Sequence, residues 1–185
     1  MKFAGLKYNF SGNLGDQIQS LAAEQHLPKI DKKFDRDNLR NVNEKEKYLL
    51  IMNGWFSHFP ERCFPPSDSI IPVFFGFHIS DWYGEKGKNH FLKPDSISYF
   101  KKYEPIGCRD QKTAEMLQAK GINAFYSKCL TLTFPKRKNS PKNGKVLIVD
   151  AENIPLPKFL TKNALKITQS VPDYYDDDLK TKMAK

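Results

Sequence analysis

Short apolar runs that end abruptly in polar residues and glycine recur four times along the chain. They cover residues 3–8, 48–52, 71–75 and 104–108. Apolar runs of this length, bounded by turn residues, predict strands buried on both faces of a parallel sheet. Ligands bind at the carboxyl edge of such a sheet. We therefore expect one cleft to be surrounded by the polar residues that follow the runs, namely Asn13, Asp16, Asn53, His78, Arg109 and Asp110.

The spacing of apolar residues between these runs predicts helices over 16–26, 94–103 and 111–120, the last one closed by Gly121. Residues 80–89 read as a loop and residues 123–134 as a strand-rich segment. Alternating strands and helices predict an α/β domain over residues 1–134. Its fold class is Rossmann-like, with a mostly parallel sheet and helices on both faces.

The segment 135–144 is rich in proline and basic residues and has no periodic pattern, which is typical of a linker. An apolar run over 145–150 then predicts a new strand, and the acidic segment 171–178 predicts the start of a helix. One strand and one helix start do not bury a sheet. Residues 145–185 are therefore expected to be the beginning of a second α/β domain, cut short at Lys185.

Composition and charge narrow the classes of function. Hydrophobic residues make up 39% and aromatic residues 13% of the chain, enough for a core, and the formal net charge is +9. The basic residues are scattered and no nucleic-acid-binding motif is present, so no specific nucleic acid partner is expected. The charge favours an anionic substrate or peripheral contact with the inner membrane surface. The apolar runs are shorter than the ~20 residues of a membrane-spanning helix, which predicts a cytoplasmic protein.

The cysteines Cys63, Cys108 and Cys129 are odd in number and do not have the spacing of metal ligands. This pattern predicts neither a disulfide framework nor a metal site.

Six segments, taken in order, resemble the polysaccharide pyruvyl transferase family. They are Asn13 to Ser20, Asp35 to Asp37, Asn53 to Phe56, Gly76 to His78, Pro105 to Asp110 and Ser127 to Thr133. The resemblance covers about residues 3–150. It implies two Rossmann-type domains in a glycosyltransferase-B-like arrangement. It also implies transfer of a pyruvyl group from phosphoenolpyruvate, a co-substrate, to a hydroxyl pair of a cell-surface polysaccharide or its lipid-linked precursor, with no cofactor and no metal.

Three residues are expected to carry the chemistry. His78 follows a strand and is suited to act as an acid or base toward an acceptor hydroxyl; alternatively it is a structural histidine bonded to a backbone carbonyl. The guanidinium of Arg109 suits a carboxylate or phosphate, unless it forms an internal pair with an aspartate. Asp110 is the neighbouring candidate carboxylate.

The first strand-to-helix turn is a candidate substrate loop, formed by Gly12, Asn13, Gly15 and Asp16. Backbone N–H groups at a helix start attract anions, and Asp16 is alternatively the N-cap of the helix. One turn later, Gln19 either points back to the cleft or is solvated.

Four further residues are candidates for contact with substrate. Asn53 and Gly54 follow a buried strand, where glycine permits close approach of a ligand to the backbone, or else they form an ordinary turn. Trp55 is either a platform for a sugar ring or a core residue. Ser127 supplies a hydroxyl at the next strand end.

Two other functions remain open at this point. A glycosyltransferase that uses a nucleotide-sugar fits the same scaffold, because fold does not settle reaction. The family's C-terminal domain carries an Arg-Leu-His motif without a counterpart here, which leaves a non-catalytic binding or scaffold protein as the other alternative. Exposed apolar surface of an unfinished domain would favour homo-oligomers.

Overall fold

Six parallel strands form the main sheet of the computed structural model, which describes residues 1–80, 85–139, 144–151, 154–172 and 174–185. The strands are β1 (Lys2–Lys7), β2 (Lys32–Asp35), β3 (Tyr48–Trp55), β4 (Ile70–His78), β5 (Ile106–Cys108) and β6 (Ala124–Tyr126). Their order is β2-β1-β3-β4-β5-β6. The direction of strand progression reverses between β1 and β3, and such a switch point opens a crevice at the carboxyl edge.

Helices pack on both faces of this sheet. The helices of the first 134 residues are α1 (Leu14–Glu24), α2 (Pro60–Cys63), α3 (Glu85–Phe91), α4 (Pro94–Lys102) and α5 (Gln111–Gln118). On one face, Ala22 and Ala23 of α1 pack toward Ile51 of β3. On the other face, Phe100 of α4 and Leu117 of α5 join the larger core. The Rossmann-like α/β class expected from the sequence is confirmed.

The larger core contains a group of closely packed aromatic rings. Phe64 lies 4.6 Å from Phe100 and 5.2 Å from Phe91, measured between ring centroids. Phe74 and Phe77 of β4 contact one another at 5.3 Å. Each of these rings brings a large apolar area out of water, and together they fix β4 against α3 and α4.

The structure differs from the sequence-based predictions at three places. The short strand β2 was not predicted, because its two lysines conceal a single buried residue, Phe34. The expected loop over residues 80–89 ends in helix α3, which is fastened by buried Phe91; residues 81–84 lie outside the described residues. The expected strand-rich segment 123–134 contains the three residues of β6 and then a 3₁₀ helix (Leu130–Thr133). The break between them falls at Lys128, whose φ is +65°.

The C-terminal part of the chain contains a small second sheet and two helices. Strands β7 (Leu147–Val149) and β8 (Leu165–Ile167) pair in parallel, and the helices are α6 (Lys158–Thr161) and α7 (Asp177–Ala184). Helix α7 packs against α1. The side chain of Asp177 accepts hydrogen bonds from the backbone N–H of Tyr8 (3.1 Å) and from Gln17 Nε2 (3.0 Å).

The segment before α7 crosses the loop that leads into α1. The N–H of Val171 donates to Gly12 O (2.7 Å), and the N–H of Leu14 donates to Gln169 O (2.9 Å). These two bonds place residues 169–171 beside the carboxyl edge of the main sheet. In the described part of the chain, no helix combines the length and the apolar character that crossing a membrane requires.

Candidate active site at the carboxyl edge of the sheet

A cavity of about 410 Å³ lies at the carboxyl edge of the main sheet. It is lined by Asn13, Asp16, Gln19, Trp55, His78, Ser80 and Arg109. All of these except Ser80 were predicted as site residues from the sequence. The strand ends named at the outset therefore do meet, and their side chains come from four separate segments of the chain.

The imidazole of His78 is held by a carboxylate. His78 ends β4, and its Nδ1 lies 2.5 Å from Asp110 Oδ2. Asp110 is also the N-cap of α5, where it accepts hydrogen bonds from the N–H and the hydroxyl of Thr113, both at 2.9 Å. Burial alone would raise the pKa of Asp110, but the bonds from Thr113 and His78 outweigh it and lower that pKa. The carboxylate is thus an anion that orients the ring.

Arg109 presents a positive charge to the same cavity. Its Nη1 donates to Gln19 Oε1 at 3.3 Å, and Gln19 Nε2 donates to Gly15 O at 3.2 Å. The alternative of an internal Arg109–aspartate pair is wrong, since within the described residues Arg109 forms no ion pair with a carboxylate. Gln19 is likewise not simply solvated. A guanidinium fixed by a neutral amide retains its full attraction for an anion.

The first turn of α1 is organised differently from the prediction. Asn13, not Asp16, is the N-cap, and its Oδ1 accepts from the N–H of Gly15 at 2.8 Å. The N–H of Asp16 donates to Asn13 O, and that of Leu14 donates to Gln169 O. These N–H groups, which the sequence suggested for binding an anion, already have partners within the chain.

Asp16 belongs to a buried charge cluster that sequence reasoning missed. Arg36 donates from Nη1 to Asp16 Oδ2 (3.0 Å) and from Nε and Nη2 to the two oxygens of Asp37 (3.0 and 3.1 Å). All three side chains are nearly inaccessible to water. Burial lowers the pKa of Arg36, but Asp16 and Asp37 outweigh it, and the net effect raises that pKa. The Asp-Arg-Asp triplet that begins at the last residue of β2 was the available signal.

Three predicted contact residues lie behind the cavity wall instead of lining it. Asn53 is buried, and its Nδ2 donates to Gln19 O at 2.8 Å. Gly54 has φ +113°, and a Cβ built there would lie 2.9 Å from Gln19 Oε1. Ser127 Oγ accepts from the N–H of Gly76 at 3.1 Å. These residues support Gln19 and the strand ends from behind the cavity wall.

A second cavity of about 400 Å³ adjoins the first and shares Asn13 and Trp55 with it. Its other lining residues include Phe10, Gly12, Arg36, His58 and Ser170. His58, which the sequence left without an assigned role, lies 5.8 Å from the Trp55 ring between centroids and 3.5 Å from Asp37 Oδ2. Trp55 is therefore not a core residue but the wall between two cavities.

The described residues contain no group of three or more histidine, cysteine or acidic side chains placed to hold a metal ion. Cys63 and Cys108 are buried and Cys129 is half-buried, and none of them lines either cavity. Burial raises the pKa of Cys108 to about 12, so its thiol stays protonated and unreactive at neutral pH.

Comparisons with known proteins identify a family for this chain. Searches of curated proteins and of solved structures found no significant match. The model of the polysaccharide pyruvyl transferase family matches residues 13–183, nearly the whole chain. That range contains every residue that lines the first cavity. The chain belongs to the polysaccharide pyruvyl transferase family.

Proposed function

We propose that the chain transfers a pyruvyl group from phosphoenolpyruvate to a hydroxyl pair on a sugar of a cell-surface polysaccharide or of its lipid-linked precursor. One observation carries the proposal. In a chain of this family, Arg109 and His78 line the same cavity, and His78 is paired with Asp110. This reaction requires two kinds of group from a protein: one that binds an anion and one that acts as an acid and a base.

Phosphoenolpyruvate carries a carboxylate and a phosphate, and Arg109 is the proposed contact for one of them. Its charge has no carboxylate partner in the described part of the chain, and Gln19 limits its motion. The net charge of +9 adds a long-range attraction for an anionic donor. We therefore expect donor binding to depend mainly on Arg109.

The transfer itself needs proton movement and no redox step. The oxygen of one sugar hydroxyl forms a bond to C2 of the enol phosphate, and its proton passes to His78. The electron pair of the C2–C3 double bond forms a C–H bond with a proton from water, so that the methylene becomes a methyl group, and the imidazolium afterwards returns its proton to water. The second hydroxyl then bonds to the same carbon as phosphate leaves with the C–O electron pair and the remaining proton. Asp110 stabilises the imidazolium that forms in the first step.

The test is a transfer assay with the purified chain, phosphoenolpyruvate and a panel of hexose glycosides. We expect phosphate release that depends on the acceptor, together with a product whose mass corresponds to a pyruvate ketal. His78→Gln should lower kcat by about 10²- to 10⁴-fold. Arg109→Gln should raise KM for phosphoenolpyruvate about tenfold or more. Arg137→Gln, at an exposed arginine outside both cavities, is the matched control and should change neither.

A glycosyltransferase would behave differently in the same assay. If UDP- or GDP-sugars are consumed and stabilise the chain against heat while phosphoenolpyruvate does neither, the proposal is wrong. Acceptor-dependent phosphate release that His78→Gln leaves unchanged would overturn the role assigned to that histidine.

A further inference from the structure

We infer that the second cavity is a neutral carbohydrate subsite, which holds the ring of the acceptor sugar while the first cavity holds the anionic donor. The identity of this sugar as the acceptor rests on the proposed function. The geometry of the subsite does not, because it follows from the aromatic rings, the charges and the polar groups around the second cavity.

The two cavities differ in the charge that their arginines present to a ligand. Arg109 in the first has no carboxylate partner among the described residues. Arg36, the arginine of the second, pairs with two carboxylates, Asp16 and Asp37, within 3.1 Å, so its positive charge is more than compensated. A compensated charge gives an anion little net attraction. The first cavity is therefore suited to phosphoenolpyruvate and the second to an uncharged, polar ligand.

Aromatic rings of the second cavity form a fixed apolar surface. Phe10 is 49% exposed, yet its ring packs edge-on against Phe59 at 6.1 Å, and the Arg62 guanidinium covers both rings at 5.9 and 5.0 Å. Trp55 is held by Arg36 at 5.5 Å. The C–H groups of a pyranose carry small positive charges, and these pack well against the negative face of an aromatic ring.

Polar groups at the rim are able to bind hydroxyls. Asn13 uses its Oδ1 to cap α1, while its Nδ2 has no hydrogen-bond partner in the described part of the chain. Ser170 is exposed, and its hydroxyl is likewise unused within those residues. A volume of about 400 Å³ lies within the range of about 300–1,000 Å³ that small-molecule sites occupy. A single sugar ring fits this combination of apolar wall and sparse polar groups.

Transfer requires the acceptor to lie next to the donor, and the two cavities are adjacent. Trp55 and Asn13 line both, and Trp55 pairs in register with His78 across β3 and β4. A sugar ring against Trp55 would therefore lie next to the acid–base residue. Its hydroxyls would face the first cavity while its ring stays in the second.

The test measures two ligands separately on the full chain. Methyl glycosides of glucose, galactose and mannose are titrated by saturation-transfer NMR, and phosphoenolpyruvate is titrated by calorimetry. Phe10→Leu should weaken binding of the preferred glycoside about three- to tenfold. It should leave the affinity for phosphoenolpyruvate unchanged. Arg109→Gln should do the reverse. Phe159→Leu, at a ring that is 79% exposed outside both cavities, is the control and should affect neither ligand.

Each outcome decides between the alternatives. The subsite is wrong if no glycoside binds at millimolar concentration, or if glycoside binding does not respond to Phe10→Leu. The subsite is also wrong if Phe10→Leu weakens the binding of phosphoenolpyruvate as strongly as Arg109→Gln does. Glycoside binding that depends on Phe10, in a chain that transfers no pyruvyl group, would refute the proposed function and leave the carbohydrate subsite standing.

Discussion

Nδ1 of His78 lies 2.5 Å from Oδ2 of Asp110, so the last residue of β4 is joined to the residue that caps α5. The bond links two segments that meet only at the carboxyl edge of the sheet. It fixes the orientation of the imidazole and ties helix α5 to the candidate active site. Its strength depends on the ionisation of Asp110.

Asp110→Asn should lower the free energy of unfolding by about 1 kcal/mol at pH 7, because a charge-assisted hydrogen bond at a partly exposed site is lost. The pKa of Asp110 is below its ordinary value of 3.8 in the folded chain. Its stabilisation is therefore complete above that value and is lost as the pH falls through the lower, folded pKa. Urea unfolding from pH 3 to pH 7 measures the difference. Asp95→Asn, at an exposed first-turn aspartate of α4, is the control. If the difference in the free energy of unfolding between the parent chain and Asp110→Asn grew as the pH was lowered, this prediction would be contradicted.

Arg36→Met should destabilise the fold by about 3–5 kcal/mol, because it leaves Asp16 and Asp37 buried without their cation. Urea unfolding followed by circular dichroism measures the loss. Arg40→Met, on the exposed side of the same 3₁₀ helix (Arg36–Asn41), should stay within about 0.5 kcal/mol of the parent chain. Equal stability of the two variants would show that the buried cluster contributes nothing.

Gly54→Ala should weaken phosphoenolpyruvate binding without touching the ligand. The new Cβ would lie 2.9 Å from Gln19 Oε1, the atom that accepts from Arg109, and the φ of +113° adds backbone strain. Gly121→Ala carries similar strain, at φ +70°, far from Gln19. We expect both variants to lose stability and Gly54→Ala alone to raise the Kd for phosphoenolpyruvate in calorimetry. If Gly121→Ala raised the Kd for phosphoenolpyruvate by the same factor, the weaker binding would be due to backbone strain and not to the contact with Gln19.

Thiol labelling should separate the three cysteines. Cys63 and Cys108 are buried and burial raises the pKa of each thiol, whereas Cys129 is half-buried. A disulfide reagent at pH 7.5 should therefore modify one thiol per native chain, and three after addition of urea. Cys129→Ser should abolish the native reaction. Rapid labelling that persists in this variant would mean that Cys63 or Cys108 is accessible.

His78 and Arg109 were predictable because each lies within three residues of the end of an apolar run, and parallel strands bring their carboxyl ends to one edge. The run over 48–52 and the one ending at Phe75 were long enough to identify β3 and β4. Strand β2 was not predictable in this way, because Phe34 is its single fully buried side chain. Local pattern thus succeeds where both faces of a strand are buried.

Pairings between distant segments account for what the pattern did not reveal. Arg36 looks like a solvated charge until β2 places it against Asp16 of α1, and His58 acquires a partner only when α2 approaches Asp37. The N–H of Leu14 seems available for an anion until Gln169 reaches it. The chain's own hydrophobic periodicity determined the long buried strands β1, β3 and β4, the fold class and the edge that carries the site. The buried charge cluster, the second cavity and the occupied helix start were decided by packing, because each depends on groups far apart in sequence whose meeting no local spacing encodes.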